Sequence, residues 1–525
     1  TCPIEIYLQS SKKNPFTLKI IKKNFSWKFF QLMLWYGYVY YLVFNIILVS
    51  SIIFLFRLYV WNVITNLISN ALLSKFFVSS LLFFFFITFT TLHYLLDYYQ
   101  DLILISSTES NLNLLSTWFF NKVVDTNSTK LNVIQVYFYP FIYVFLLVTV
   151  LSVVFCLSYN TDELSAFMFY CIIILVAGYA LFFTDSLILF FFAYEMLLVP
   201  SFFILYKFAK TRRCVEAAYL MFFWTQFGAL FLILGLLYLF FTCNSSHFST
   251  ISFYYFNPFE VNFLFLCVLV GFGVKLPIWP FYGWLPKAHV EASTNFSIFL
   301  SGVLVKFAFF GLLKFLLTIH LEPTFIYVYP FLTIGLIDAI FKLFYQIDLK
   351  KLVAYSTVVE MHWLTICVVS GQSNLMLASF CMMISHALLS TNSFLLVDAI
   401  ARRFKTRLLT EVSGVNFMCP KLFLMTLLNT LIFLGFPGSI MFVSEFLFFS
   451  FIFDLFPFLG LFLLIFLYLI GPTFFFRSWM NVMFGFSKSL STRIPTDLTT
   501  REFLLFASIS FLMYWLGVSW QALVI

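Results

Sequence analysis

Four lysines, Lys275, Lys306, Lys314 and Lys342, lie inside hydrophobic stretches of this sequence, where a charge needs a chemical reason. Lys306 lies near the middle of 295–319, too deep for its stem to reach either end of a helix. A charge at that depth costs at least about 2.5 to 3.5 kcal/mol, so such residues usually pair with another charge or line an ion path. Lys306 is therefore predicted to transfer protons. The alternative is a structural lysine that pairs with a neighbouring subunit.

Lys314 and Lys342 differ from Lys306 because each lies within about a turn and a half of a predicted helix end. Their ammonium groups could therefore extend to the membrane interface along a flexible stem. Lys342 also has Asp338 four residues earlier, a spacing at which helical side chains pair. Lys314 is kept as a possible additional proton-transfer residue.

Two further titratable residues lie in apolar segments. Glu195, in the segment FAYEMLLVP, has no cation nearby in sequence and so needs a spatial partner. Burial disfavours the charged forms of both Glu and Lys, whereas proximity favours them. A Glu and Lys pair that separates and rejoins could thus release and recapture a proton. His386 lies deep in its segment and could relay protons, or be a hydrogen-bonded core histidine.

Prolines and glycines interrupt two of the hydrophobic segments. Pro277 and Pro280 follow Lys275, and a proline removes a backbone donor and clashes with the preceding turn. Gly435, Pro437 and Gly438 similarly precede Glu445. Broken helices with free backbone groups near the middle of the membrane are typical of transporters. The recurrence predicts two inverted repeats, at 165–319 and 325–476.

Composition sets the fold class in which these residues lie. Of 525 residues, 62% are hydrophobic and 10% are charged, whereas soluble proteins have about 25% charged residues. The sequence predicts an all-α membrane protein of about 14 transmembrane helices, because uninterrupted apolar stretches reach the required length of about 20 residues. The predicted spans are 36–57, 76–96, 137–159, 165–184, 187–206, 216–241, 260–282, 294–319, 325–346, 352–372, 376–399, 421–450, 455–476 and 503–523.

Outside the two repeats, three further regions are predicted. They are a basic N-terminal extension over 1–35, N-terminal transmembrane helices over 36–159 with a polar loop at 97–135, and a C-terminal loop and helix over 477–525. The nine cysteines are scattered, with none of the spacings that bind zinc or an iron–sulfur cluster. No dinucleotide or phosphate fingerprint is found either. We therefore expect neither a metal nor a cofactor site in this chain.

Three motifs resemble the antiporter-like subunits of respiratory complex I, NADH:ubiquinone oxidoreductase, and chain 4 in particular. The segment GWLPKAHVEA at 283–292 is similar to the hallmark of chain 4. GVLVKFAFFG at 302–311 resembles helix eight of that family, and DLKKLVAYST at 348–357 its matrix loop and helix ten. The resemblance covers about 165–480.

The resemblance implies roles for five residues. Glu195 and Lys275 match the charged pair of the first half, and Lys306 matches the central lysine. His386 matches the helix-eleven histidine. Glu445 matches a helix-twelve position that is glutamate in chain 4 and typically lysine in chains 2 and 5. We therefore expect these five residues to translocate protons.

One motif departs from the family pattern. Where the family has Ser-His-Met in helix ten, this sequence has Val359, Glu360 and Met361. His362 cannot replace the missing histidine, because helical positions two apart point about 200° apart. Lys275 follows Glu195 by 80 residues and Glu445 follows Glu360 by 85, so the repeat predicts that Glu360 approaches the second broken helix.

Two neighbouring carboxylates cannot both ionise cheaply, so Glu360 and Glu445 would together store a proton. The alternative is that Glu360 is merely neutralised by a lysine or by a partner chain.

The resemblance further implies a proton-translocating subunit of the mitochondrial inner membrane, driven by electron transfer in partner subunits. Those partners would hold FMN, iron–sulfur clusters and ubiquinone. Chain 2 and chain 5 types, accessory subunits and lipids would surround this chain, and no nucleic acid is expected. A subunit of a multi-subunit cation/proton antiporter is the alternative function. A membrane scaffold with vestigial charges is a third possibility, and it would tolerate substitution of Lys306.

Overall fold

The computed structural model describes Val148 and residues 161–208, 211–252, 254–318, 328–370, 373–485 and 495–518. The predicted extension at 1–35 lies outside these residues. So do the predicted helices over 36–159, with their polar loop at 97–135, apart from Val148. Both predicted repeats lie largely within them, and so does most of the C-terminal segment.

Helices make up the described part of the chain, which contains no β-strand beyond two isolated bridges. In chain order they are α1 Thr161–Phe183, α2 Leu187–Met196, α3 Leu198–Lys207, α4 Arg212–Cys243, α5 Phe248–Ile251, α6 Pro258–Gly273, α7 Trp284–Glu291, α8 Thr294–Phe299, α9 Val305–Thr318, α10 Val328–Phe344, α11 Leu349–Val369, α12 Ser373–Phe404, α13 Val415–Met418, α14 Pro420–Phe433, α15 Ile440–Leu455, α16 Pro457–Leu464, α17 Gly471–Met483 and α18 Thr500–Val518. Two π-helices, Leu300–Leu304 and Ile465–Ile470, join α8 to α9 and α16 to α17.

Five helical segments within the described residues are long and apolar enough to cross a membrane. They are Leu187–Lys207, Arg212–Cys243, Thr294–Leu316, Leu349–Val369 and Leu375–Phe404. Further apolar helices are shorter, and two of these, α6 and α14, end at the interruptions predicted from proline and glycine. The helical membrane architecture is thus confirmed, while the total of 14 helices is not established.

The core and the periphery of the helical assembly differ in burial. In Thr294–Leu316, α11 and α12, 94% of the residues in the most apolar stretch are buried, compared with 33% in α4. On α4, Phe223 and Phe241 are 68% and 71% exposed. Large apolar side chains on an outer surface suit contact with lipid. The buried lysines, glutamates and histidines described below lie mostly on the central helices.

The two interruptions have different local causes. After α6, Pro277 has no N–H, and the N–H of Ile278 donates to the carbonyl of Gly273, five residues earlier. After α14, Gly435 and Gly438 take φ values of 67° and 91°. Those left-handed conformations strain any residue with a Cβ atom. The chain therefore turns out of the helix at both places and begins a new helix a few residues later.

Candidate functional site

Side chains satisfy the backbone groups that the first break frees. The Tyr194 hydroxyl donates to the carbonyl of Gly271 at 2.7 Å, and the Trp284 indole donates to the carbonyl of Val274 at 2.8 Å. The N–H of Trp279 donates to Nε2 of His362 at 2.8 Å. Because buried backbone groups need partners, these contacts define the shape of the break around Lys275. We call the segment 274–283 the first break.

Lys275 lies at the start of this break and is 8% exposed. Its ammonium donates to the carbonyl of Tyr194 at 2.9 Å and lies 3.2 Å from the centroid of the Tyr194 ring. A cation over an aromatic face is stabilised by the ring quadrupole, most strongly when water is excluded. Tyr194 therefore supplies two of the interactions that solvate Lys275.

Glu195 follows Tyr194 on α2, one turn before Pro200 interrupts that apolar span. The amide of Gln226 donates to Oε2 of Glu195 at 2.9 Å. The other oxygen, Oε1, is buried and has no hydrogen bond within the described part of the chain. Glu195 and Lys275 interact electrostatically, but no ion pair joins them among the described residues. The predicted partners are thus close but separated, with Tyr194 binding the lysine.

Lys306 is fully buried on α9. Its ammonium donates to the carbonyl of Ser301, which belongs to the π-helix Leu300–Leu304. A π-helical turn widens the backbone and is frequent at functional sites. Lys306 also interacts electrostatically with Glu360 and His386. The central lysine is thus bound by a backbone carbonyl and interacts electrostatically with the titratable pair of Glu360 and His386.

Glu360 and His386 form a buried contact between α11 and α12. Nδ1 of His386 contacts Oε2 of Glu360. The His386 side chain is 2% exposed and the Glu360 side chain is 6% exposed. Glu360 therefore points into the protein and not toward lipid. The carboxylate and imidazole that sequence analysis treated separately lie together beside Lys306.

Glu445 lies across a cavity from Glu360. Both residues line a space of about 40 Å³, together with apolar side chains that include Trp363, Phe433 and Met441. At about 10 to 15 Å³ for each molecule, this volume accommodates roughly three or four waters. The two carboxyl groups interact electrostatically. Oε2 of Glu445 is buried and has no hydrogen bond among the described residues, so it is available to accept one from water.

Glu360 also lines a second, smaller cavity. Its volume is about 10 Å³, and polar side chains dominate its lining, namely Ser356, Thr357, Glu360, His386, Ser390, Ser393 and Asn429. The four hydroxyl groups donate to backbone carbonyls of their own helices, which leaves their oxygens free to accept from water. Glu360 thus borders two spaces that can hold water.

Lys314 lies on α9 and binds the end of another helix. It is 3% exposed, and its ammonium contacts the carbonyls of Leu181 and Thr184 at the end of α1. Cations are favoured at a helix C terminus, where carbonyls lack partners inside the helix. Lys314 therefore binds the free carbonyls at the end of α1, where its ammonium also interacts electrostatically with Asp185.

Lys342 pairs with Asp338, as the helical spacing predicted, at 2.8 Å. Its ammonium also donates to the hydroxyl of Tyr282 at 2.6 Å, and that hydroxyl donates to Asp338. Sequence analysis missed Tyr282, Tyr194 and Gln226, because nothing local distinguishes these polar side chains from ordinary ones. The position of Tyr194 beside Glu195 was the one usable signal.

Comparison with known proteins matches the region that carries these residues. Residues 184–471 match the family described as NADH:quinone oxidoreductase/Mrp antiporter, transmembrane. The NADH-ubiquinone oxidoreductase chain 4 of Paramecium tetraurelia is 35% identical over 361 residues, which cover 68% of this chain and 76% of that one. The chain 4 of Chondrus crispus is 31% identical over 71% of this chain and 77% of its own length.

Two solved assemblies share the fold. A chain of respiratory complex I from Thermus thermophilus superposes with a TM-score of 0.64 and 19% identity, over 72% of this chain and 80% of that chain. A chain of the Mrp complex from Dietzia sp. gives a TM-score of 0.64 and 21% identity over 73% of this chain, which spans 43% of that longer chain. The matched relatives and the helical fold agree. The chain therefore belongs to the NADH-ubiquinone oxidoreductase chain 4 family, the antiporter-like, proton-pumping membrane subunits of respiratory complex I.

Proposed function

We propose that protons cross this subunit through Lys306, His386, Glu360 and Glu445, while Glu195 and Lys275 respond to charge movement in the first half. The observation that carries the proposal is the buried contact of Glu360 with His386 beside Lys306. Groups with competing charge preferences in a water-poor site can exchange a proton at low cost.

The transfer begins at Lys306. In the proposed transfer the proton that leaves the Lys306 ammonium passes to His386. The favourable interaction of the Lys306 charge with the Glu360 carboxylate is then lost, so Glu360 takes up a proton more easily. His386 contacts Glu360 through Nδ1, so a proton can move between imidazole and carboxyl without a large rearrangement. Water in the cavity between Glu360 and Glu445 would carry it onward. Glu360 and Glu445 would then share one proton, because two close carboxylates resist ionising together.

The first half contributes a charge pair that is held apart. If Lys275 leaves the Tyr194 carbonyl and approaches Glu195, the distance between the two opposite charges shrinks, so their dipole and its long-range effect on Lys306 decrease. If it returns, the field is restored. Each charge left alone in such a site costs several kcal/mol, roughly the scale needed to drive a proton transfer.

The wider setting is part of the same proposal. The chain would reside in the mitochondrial inner membrane, next to chain 2 and chain 5 types, accessory subunits and lipids. It would contain no redox site, so FMN, iron–sulfur clusters and ubiquinone would belong to partner subunits, and electron transfer there would drive this one. The alternative is a subunit of a multi-subunit cation/proton antiporter, which the Mrp fold likeness keeps open.

A native purification separates the two. The complex would be isolated in mild detergent, its subunits identified by mass spectrometry, and the preparation reconstituted into liposomes. Our proposal predicts co-purified flavin and iron–sulfur subunits, and proton uptake that requires NADH and ubiquinone and is independent of sodium. Cation exchange in a preparation that lacks those subunits would favour the antiporter.

A further inference from the structure

His362 is fully buried on α11 and makes a hydrogen bond at each ring nitrogen. Nε2 accepts the N–H of Trp279 at 2.8 Å, and Nδ1 bonds to the carbonyl of Val358 at 2.8 Å. The first bond joins residues 83 positions apart. Trp279 lies between Pro277 and Pro280, in the first break. His362 therefore provides the acceptor for a backbone N–H that the interrupted helix leaves without its usual carbonyl.

The two bonds together fix the form of the imidazole. A backbone N–H can only donate, so Nε2 has to be an unprotonated acceptor, and a backbone carbonyl can only accept, so Nδ1 carries the hydrogen. A second proton on the ring would occupy Nε2 and eliminate the bond to Trp279. His362 consequently acts as a neutral acceptor in this arrangement and does not carry a proton while the bond exists.

Helix α11 presents opposite faces to the two broken helices. Glu360 and His362 are two positions apart, so their side chains diverge by about 200°. Glu360 faces His386 and the cavity that it shares with Glu445, beside the second break. His362 faces Trp279 in the first break. One rigid helix thus contacts the segment that contains Lys275 on one side and the carboxylate pair on the other.

The neighbouring helix α10 is shaped around this contact. A Cβ atom added to Gly335 would lie 2.5 Å from Nε2 of His362 and 2.4 Å from Cβ of Trp279. Only a glycine at 335 therefore leaves room for the bond. Tyr282 also attaches the first break to α10, through Asp338 and Lys342, and its ring lies 6.0 Å from that of His362.

We propose that His362 is a positioning residue that holds the first break against α11 and so transmits motion between Lys275 and the Glu360 side of that helix. The short distance along the chain supports this: Trp279 is four residues from Lys275, and two prolines stiffen the segment between and after them. A shift of α11 would move Trp279, and Lys275 would move with it. The inference rests on the proposed response of Lys275 to charge movement and adds to it the connection between the halves.

The test compares two substitutions of His362 in the assembled complex of this protein. His362→Gln offers an oxygen near the position of Nε2, whereas His362→Phe keeps a ring of similar shape without an acceptor. The readout is protons moved per electron in liposomes, with electron transfer measured separately. We expect the Phe variant to lose about fivefold of the proton yield attributable to this subunit, the effect of one neutral hydrogen bond, and the Gln variant to stay within about twofold of the parent.

Three outcomes would overturn the inference. Full proton yield in both variants would show that the bond is dispensable. Full yield in the Phe variant with loss in the Gln variant would mean that the ring only fills space. Equal loss in both would indicate that the imidazole itself carries protons. Gly335→Ala gives a second route, because it keeps the imidazole and crowds the same bond, and its yield should fall like that of the Phe variant.

Lys275→Met is included to distinguish this inference from the proposed function. If Lys275→Met keeps full proton yield, the proposed role of the Lys275 charge in pumping is wrong, whatever the His362 variants do. If Lys275→Met loses yield while His362→Phe and Gly335→Ala keep it, the positioning role alone is wrong. If all three lose yield and His362→Gln keeps it, both proposals survive.

Discussion

The two broken helices place opposite charges beside their interruptions. The first break has Lys275, whose ammonium binds the carbonyl and ring of Tyr194, with Glu195 nearby but unjoined. The second break is followed by Glu445, which faces another acid, Glu360, across a small cavity. A lysine and a glutamate can both be ionised while the pair has no net charge. Two neighbouring carboxylates repel each other, and one bound proton removes that repulsion. The comparison suggests that the first break separates charge and the second stores a proton.

The largest expected effect comes from leaving one charge alone at the first break. Lys275→Met removes the cation and leaves Glu195 with Gln226 as its hydrogen-bond donor. A buried charge without its partner costs about 3 to 5 kcal/mol, so proton pumping should fall by tenfold or more. Glu195→Gln combined with Lys275→Met should recover part of the loss, and a double-mutant cycle on turnover measures this coupling. Simple additivity would contradict the pairing.

At the second break, removing one charge should reduce proton pumping less than it does at the first break. Glu360→Gln relieves its repulsion with Glu445 but removes the proton acceptor beside His386. We expect the complex to assemble normally. Proton yield should fall about fivefold, which is less than the effect usually attributed to one positioned acid–base group. Glu445→Gln should behave alike, and the double variant should be little worse than either. Poor assembly of Glu360→Gln would instead point to a structural ion pair.

The glycines of the second break offer a matched pair. A Cβ atom at Gly435 would lie 2.2 Å from Oε2 of Glu445, whereas at Gly438 it would meet nothing within 4 Å. Both residues have positive φ, so alanine at either position costs about 1 to 2 kcal/mol of backbone strain. Gly435→Ala should also displace Glu445 and reduce proton yield severalfold, while Gly438→Ala should lower thermal stability only. Equal proton yields in the two variants would show that pumping does not depend on the position of the Glu445 side chain.

Lys314 should give the smallest effect, because its ammonium contacts the carbonyls at the end of α1 and no residue of the proposed proton path. Lys314→Met removes a cation from the carbonyls of Leu181 and Thr184, an interaction of about 1 kcal/mol. Thermal unfolding of the complex should begin at a slightly lower temperature, and the ratio of protons to electrons should not change. A changed ratio would place Lys314 in the proton path after all.

Much of this architecture could be predicted from the sequence. The predicted span 187–206 corresponds to Leu187–Lys207, and 376–399 lies within Ser373–Phe404. Long apolar stretches predict helices reliably, because a single segment can pair all its backbone hydrogen-bonding groups inside a membrane only as a helix. Pro277 and Gly435 marked both breaks for equally local reasons. The repeat spacing also led to the expectation that Glu360 approaches Glu445.

The contacts that fix the site could not be predicted in the same way. The bond of Lys275 to Tyr194, that of Lys306 to Ser301 and that of His362 to Trp279 depend on how helices approach one another. No periodicity encodes the partner of a side chain 83 residues away. Sequence analysis excluded His362 from the Glu360 side correctly, by helical geometry, but had no means of finding what the other side contacts.

The most direct test of the account is the proton yield of Lys306→Met. Lys306 is fully buried beside Glu360 and His386, while Lys287 is an exposed lysine on α7. Both receive the same substitution in a tractable homologue, and protons per electron are measured in liposomes for complexes that assemble fully. The account predicts that Lys306→Met loses most of the yield attributable to this subunit and that Lys287→Met loses none. Full yield in an assembled Lys306→Met complex would contradict proton transfer through this line of residues.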